Sequence, residues 1–168
     1  MTRQEILDTL RALPGQIEEL VQGLSEDALR WRPSPREWSI KEVCCHLRDF
    51  SEIGGERIRH MLGEDDPFLP SYDQEALARE RDYQNESMPL VLTALRAFSG
   101  GLAYVLENLG EEEWQHTGRP EGPLAGMRPG AVERGLISIA QYAQLLADHA
   151  REHLEQIKAL RRQLPPGQ

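Results

Sequence analysis

The chain reads as an all-α four-helix bundle, and three observations predict it. Apolar residues recur at spacings of three and four in four long stretches, the signature of a helix face turned to a core. Alternating apolar and polar runs, which would mark strands, are weak throughout. Hydrophobic residues make up 39% of the 168 but aromatic residues only 6%, which suits a core of Leu and Ala better than a β-sandwich. The length is that of one domain able to bury a core, so residues 1–168 are expected to form a single unit. Long loops join the second helix to the third and the third to the fourth.

The first helix is expected over roughly residues 2–23, on Ile6, Leu10, Leu13, Ile17, Leu20 and Val21. Pro14 falls inside it. Proline removes a helix hydrogen bond, which predicts a kink or a later start. Pro33 and Pro35 then bar helix in the segment from Trp31 to Trp38. The second helix begins at Ser39. In Ser39-Ile40-Lys41-Glu42, the Ser and Glu side chains can each satisfy an orphan amide of the first turn, a capping box. Its stripe is Ile40, Val43, Cys44, Leu47 and Phe50, and it ends near Gly63. An acidic, turn-rich connection leads to Asp73, and a short helix covers Gln74–Arg81. The third helix starts near Ser87, with Pro89 in its first turn, and stops at Gly110. A connection from Glu111 to about Pro129 precedes the fourth helix, expected from about Gly130 to Leu164, where Pro165-Pro166 ends it.

Charge and composition exclude several classes. The net charge of −9 argues against a nucleic-acid partner, which is recognised through clustered Lys and Arg. No apolar run is expected to approach the ~20 residues of a membrane span, so no membrane partner is expected. The segment Met1–Ile6 lacks the apolar stretch of a signal peptide. The two cysteines, Cys44 and Cys45, are adjacent and make no disulfide framework. Together these point to the cytoplasm.

The chemistry concentrates in histidines. His149 and His153 interrupt the apolar stripe Tyr142, Leu145, Leu146, Ala150, Leu154, Ile157, Leu160 of the fourth helix. Four residues apart on a helix, both rings can point at one spot. Buried polar rings require partners, and a metal ion is one. His46 lies beside Val43, Leu47 and Phe50 on the second helix and can face the same interior. One His from one helix and a pair from a facing helix make a three-nitrogen site, the pattern of a catalytic metal centre with an open position. Histidines that merely hydrogen-bond are the alternative at this point. Asp49, one turn after His46, is a candidate to orient a ligand, and His116, in the long loop, is a candidate to reach the open position or the substrate; for both, facing solvent is the alternative. Cys44 and Cys45 read as small core fillers. The sequence assigns no catalytic residue.

Two segments carry a family resemblance. The stretch from Trp31 through Trp38-Ser39-Ile40-Lys41-Glu42-Val43-Cys44-Cys45-His46-Leu47-Arg48-Asp49, and the C-terminal Asp148-His149-Ala150-Arg151-Glu152-His153-Leu154-Glu155-Gln156-Ile157, resemble the signature of the DinB/YfiT-like superfamily. The resemblance implies a four-helix bundle holding a divalent metal ion, zinc or nickel foremost, on three histidines, which by position are His46, His149 and His153. Members include thiol-dependent S-transferases and isomerases that use bacillithiol, mycothiol or glutathione, and proteins described as metal-dependent hydrolases; dimers are common among them. The implied function is a metalloenzyme acting on a small-molecule substrate, with a low-molecular-weight thiol as one candidate cosubstrate. No Glu follows His149 in a His-Glu-x-x-His arrangement to act as general base, which favours thiol over water as nucleophile. The alternative is a non-catalytic metal-binding or stress-associated bundle protein.

Overall fold

The protein is described here by a computed structural model covering residues 1–124 and 135–166. Six helices and three very short strands appear in the order α1 (Arg3–Val21), α2 (Glu26–Arg30), α3 (Ile40–Gly63), β1 (Phe68–Leu69), α4 (Gln74–Glu80), α5 (Met88–Glu107), β2 (Thr117–Pro120), β3 (Ile137–Ser138) and α6 (Ile139–Gln163). The four long helices form the bundle: α3 packs on α5 and α6, and α1 packs on the same two. The fold is the all-α bundle the periodicity predicts.

Three local expectations are corrected. The last helix begins at Ile139, not near Gly130; Gly130 itself lies outside the described residues. Ser138 caps it, its hydroxyl accepting from Gln141 N at 3.2 Å while Ser138 N donates to Gln141 Oε1 at 2.9 Å. The connection after α5 is not wholly irregular. A 3-10 turn over Glu113–Gln115 leads into β2, which pairs parallel with β1 and antiparallel with β3. Finally, α5 is twenty residues long, with a stretch of mean hydropathy 1.4, so one helix does reach the length and apolarity of a span. Its inner face, including Val91, Leu95, Leu102 and Leu106, is buried in the bundle.

Pro14 does not end or delay α1, which is helical on both sides of it. A proline leaves the carbonyl four residues earlier without its helical donor, here that of Leu10. Ser99 of α5 supplies the missing bond: its Oγ donates to Leu10 O at 2.5 Å, fully buried.

The core divides into two apolar clusters stacked along the bundle. One contains Leu10, Phe50, Leu102 and Leu146; the other contains Leu13, Leu47, Leu95 and Ala150. Polar groups meet the junction of the two clusters on both sides of the bundle: Ser99 and the Leu10 carbonyl on α5 and α1, and, packed against Phe50, His46 and His149 on α3 and α6.

Candidate metal centre

The register of α3 is set at its cap. Ser39 Oγ accepts from Glu42 N at 3.2 Å, and Ser39 N donates to Glu42 Oε2 at 2.8 Å, completing the expected box. Arg32 closes on the same carboxylate with two hydrogen bonds, one of 2.8 Å from Nε. The helix so anchored turns His46 inward, where it is 1% exposed. From α6, His149 is also buried and His153 half-buried.

The three rings converge through one kind of atom. His46 Nε2 lies 2.9 Å from His149 Nε2, and His153 Nε2 lies 3.1 Å from His149 Nε2. Two aromatic side chains wall the cluster. Phe50 lies against His149 with ring centroids 4.0 Å apart, and Trp38 covers His46 at 5.1 Å. Trp38 is held in turn by Glu75, whose carboxylate accepts from its Nε1 at 3.3 Å.

Burial fixes the charge state. Desolvation, with the neighbouring imidazoles adding to it, pushes His46 down to about 2, and desolvation with His153 pushes His149 down to about 3. His153 is also lowered, chiefly by burial. All three are therefore neutral near pH 7, the form in which imidazole binds a metal. Each neutral ring carries one N–H. His153 spends its proton at Nδ1 on Gln156 Oε1, 2.6 Å away, so its Nε2 presents a lone pair. A single proton on His149 Nε2 cannot serve both of its close neighbours. With Nε2 on an ion, His149 carries its proton at Nδ1, which is buried and has no hydrogen-bond partner among the described residues. A cation at the point of convergence satisfies the facing lone pairs together, and so the donor set fits a metal ion.

The other sequence candidates fall elsewhere. Asp49 is buried, but it neither faces solvent nor bonds a histidine: its carboxylate takes the Tyr83 hydroxyl, Arg48 Nε at 2.7 Å and Arg81 Nη1 at 2.7 Å. It reaches the centre only indirectly, because the Tyr83 ring it holds lies edge-on to Trp38. His116 is not at the site. Its Nδ1 lies 3.1 Å from the carbonyl of Met61, fifteen residues beyond His46 on α3 and about 22 Å along the axis. His60 is exposed and pairs with Glu64. Cys44 and Cys45 are buried free thiols; burial raises both, Cys45 to about 12. Asp148 accepts from Gln144 Nε2, and Glu152 is exposed. Gln156 is the functional residue that helical spacing could have supplied, being i+3 from His153 on the same face.

A four-helix bundle whose two facing helices bring three imidazoles to one point is the class that fold and site together define. The chain belongs to the DinB superfamily, whose family model matches residues 9–157. It is 27% identical over 159 residues, 95% of this chain and 84% of the relative, to a protein of Geobacillus kaustophilus (strain HTA426) named "Putative metal-dependent hydrolase". It is 24% identical over 152 residues, 86% of this chain and 90% of the relative, to "Uncharacterized protein YuaE" of Bacillus subtilis (strain 168). Among solved structures it resembles YfiT from Bacillus subtilis, with a TM-score of 0.81 over 95% of this chain and 86% of that one at 19% identity. YfiT is described as a probable metal-dependent hydrolase with an unusual four-helix bundle topology; at that identity the likeness concerns the fold.

Proposed function

We propose that His46, His149 and His153 hold one divalent metal ion, zinc or nickel, through their Nε2 atoms, and that the chain is a metal-dependent enzyme acting on a small molecule. The observation that carries this reading is the convergence of three neutral ring nitrogens that no fourth His, Cys, Asp or Glu joins among the described residues. Three protein ligands with a remaining position is the arrangement of catalytic centres, whereas structural zinc is closed by four. A bound ion supplies Lewis acidity and lowers the pKa of a water or thiol that it binds. The chain itself supplies neutral ligands, the Gln156 carbonyl that orients His153, and the Phe50 and Trp38 walls that exclude water from two sides.

Two nucleophiles compete. The cluster has no carboxylate in hydrogen-bond contact with it among the described residues, and a low-molecular-weight thiol, once ionised, attacks an electrophile without a general base. S-transfer is therefore the leading reaction. Hydrolysis is the second reading, and the names of the relatives favour it.

The test begins with metal content and melting temperature with and without chelator. A stoichiometric ion and a chelator-induced fall are expected, with both lost in His46→Ala. The loaded protein is then incubated with a panel of thiols and monochlorobimane, and separately with ester and amide substrates. Thiol-dependent conjugation supports S-transfer. Ester or amide cleavage without any thiol turnover assigns hydrolysis. A protein that takes up no metal overturns the centre, and a loaded protein inert to both panels reduces the chain to a metal binder.

A further inference from the structure

A second buried polar group on the α3–α6 seam has no use in the metal centre. Arg57 is only 6% exposed. Its Nη1 donates to the Tyr142 hydroxyl at 3.2 Å and its Nη2 to the Pro70 carbonyl. The guanidinium carbon stands 5.7 Å from the Tyr72 ring centroid and 5.9 Å from that of Tyr142. No carboxylate among the described residues forms an ion pair with it. A charge taken out of water without a counter-ion is costly, and aromatic faces and carbonyls offset only part of that. Beside it the Tyr72 hydroxyl is buried with no hydrogen-bond partner among the described residues.

Both side chains line one cavity of about 350 Å³, which Gln74, Pro123 and Leu124 also line. The acids nearby are engaged elsewhere. Asp73 caps α4 through Glu75 N and Ala76 N, Glu75 holds Trp38, and Glu121 takes Ser71 N and Oγ. Arg57 is the one cation lining the cavity among the described residues, and Asp73 and Glu75 place negative charge at its wall. One positive charge and up to three remaining N–H donors, beside one free hydroxyl, match a monoanion with two oxygens and disfavour a dianion.

The location ties this cavity to the histidines. Arg57 follows Phe50 by seven residues on α3, and Tyr142 precedes His149 by seven on α6. Seven residues is about two turns, roughly 10 Å, and returns to the same helix face. Between the two levels Gly54 lets the helices close: a Cβ there would meet Leu146 Cδ2 at 2.9 Å. The cavity's rim residue Glu75 is the one that holds the tryptophan over His46.

We propose that this cavity anchors the carboxylate of a small organic acid, held by the Arg57 guanidinium and the Tyr72 hydroxyl, and so orients a substrate toward the three histidines. The anchoring stands on its own; the orienting role rests on the metal-centre reading.

The test is an NMR titration of the full chain, metal-loaded and chelator-treated, following the Arg57 Nε–H resonance. The probes are butyrate, its neutral analogue butyramide, and inorganic phosphate. Butyrate is expected to shift that resonance in both forms, with butyramide and phosphate each at least about tenfold weaker. Arg57→Lys, which keeps the charge but loses the fork, is expected to weaken butyrate about tenfold, read from the Tyr ring signals. Tyr72→Phe removes only an unpartnered hydroxyl, so it folds even where an Arg57 variant does not, and it is expected to weaken butyrate several-fold. Silence of the wild-type resonance, tighter phosphate than butyrate, or undiminished butyrate binding in Tyr72→Phe overturns the proposal. So does butyrate binding that vanishes with chelator, which would place the carboxylate on the metal. Butyrate binding in a protein that never takes up metal keeps the anchor and removes the metal centre.

Discussion

The polar layer between the two apolar clusters is resolved on one side of the bundle and unresolved on the other. On the α1–α5 side, Ser99 donates to the Leu10 carbonyl that Pro14 leaves open, and donor and acceptor are both satisfied. On the α3–α6 side, His46 Nε2 and His153 Nε2 stand 2.9 Å and 3.1 Å from His149 Nε2, and one proton on His149 Nε2 cannot bridge to both. The same depth of burial therefore carries two meanings. Polarity that the fold satisfies internally is architecture; polarity that it gathers without enough protons to bridge it is the kind a bound ion would satisfy.

Asp49 gives the sharpest contrast, because it stands one turn from His46 on α3. Its carboxylate is consumed by Tyr83, Arg48 and Arg81. Asp49→Ala removes the buried acceptor those groups share, leaving Arg48 to Glu86 and Arg81 to Glu52, and is expected to cost about 3 kcal/mol in urea unfolding, whether or not metal is present. The three histidines should behave in the opposite way. Saturating metal, at about 100 times its Kd, is expected to stabilise the wild-type chain by about 2.7 kcal/mol. His149→Ala is expected to erase that increment while changing the chelated protein far less than Asp49→Ala does. A metal increment that survives His149→Ala would break the comparison.

The next effect is in pH. His46 and His149 have folded values near 2 and 3, below the ordinary 6.5, so the unfolded chain binds protons that the metal-free folded chain refuses. Stability is then full above about pH 6.5 and falls as pH drops toward the folded values. Between pH 6.5 and 5.5 the loss is about 1 kcal/mol per histidine, about 2 kcal/mol for these two. Denaturant melts of chelated wild type and of a His46→Ala, His149→Ala double variant measure it, and the variant's profile should be flatter across that interval. The smallest effect belongs to the resolved side. Ser99→Ala is expected to cost about 1 kcal/mol, with no dependence on metal.

Periodicity and caps made the bundle legible. The Ser39–Glu42 box placed the start of α3, and with it the inward turn of His46. The same motif, Ser138-x-x-Gln141, would have placed the start of α6, but Ser138 follows a glycine- and proline-rich connection that blurs the onset of the apolar stripe. Two- to four-residue strands are too short to show an alternation, so β1 to β3 left no periodic trace. His149 and His153 were legible together because helical spacing puts them on one face of α6, and His46 joined them through its place on the apolar stripe of α3 and the family resemblance. Asp49 was misread because its partners, Tyr83 and Arg81, come from a distant segment that no local pattern links to α3. His116 was misread because a loop residue has no register. Arg57 was signalled only by a charge on the inner stripe of α3, between Gly54 and Met61.

The buried thiols have a practical consequence. Cys44 and Cys45 are sealed in the core and held protonated, Cys45 up to about 12, and a protonated, inaccessible thiol does not react with alkylating or disulfide reagents. In a conjugation assay the folded protein is chemically silent. Any bimane fluorescence that appears reports the added thiol, and colour from a disulfide reagent added to the protein alone reports the unfolded fraction.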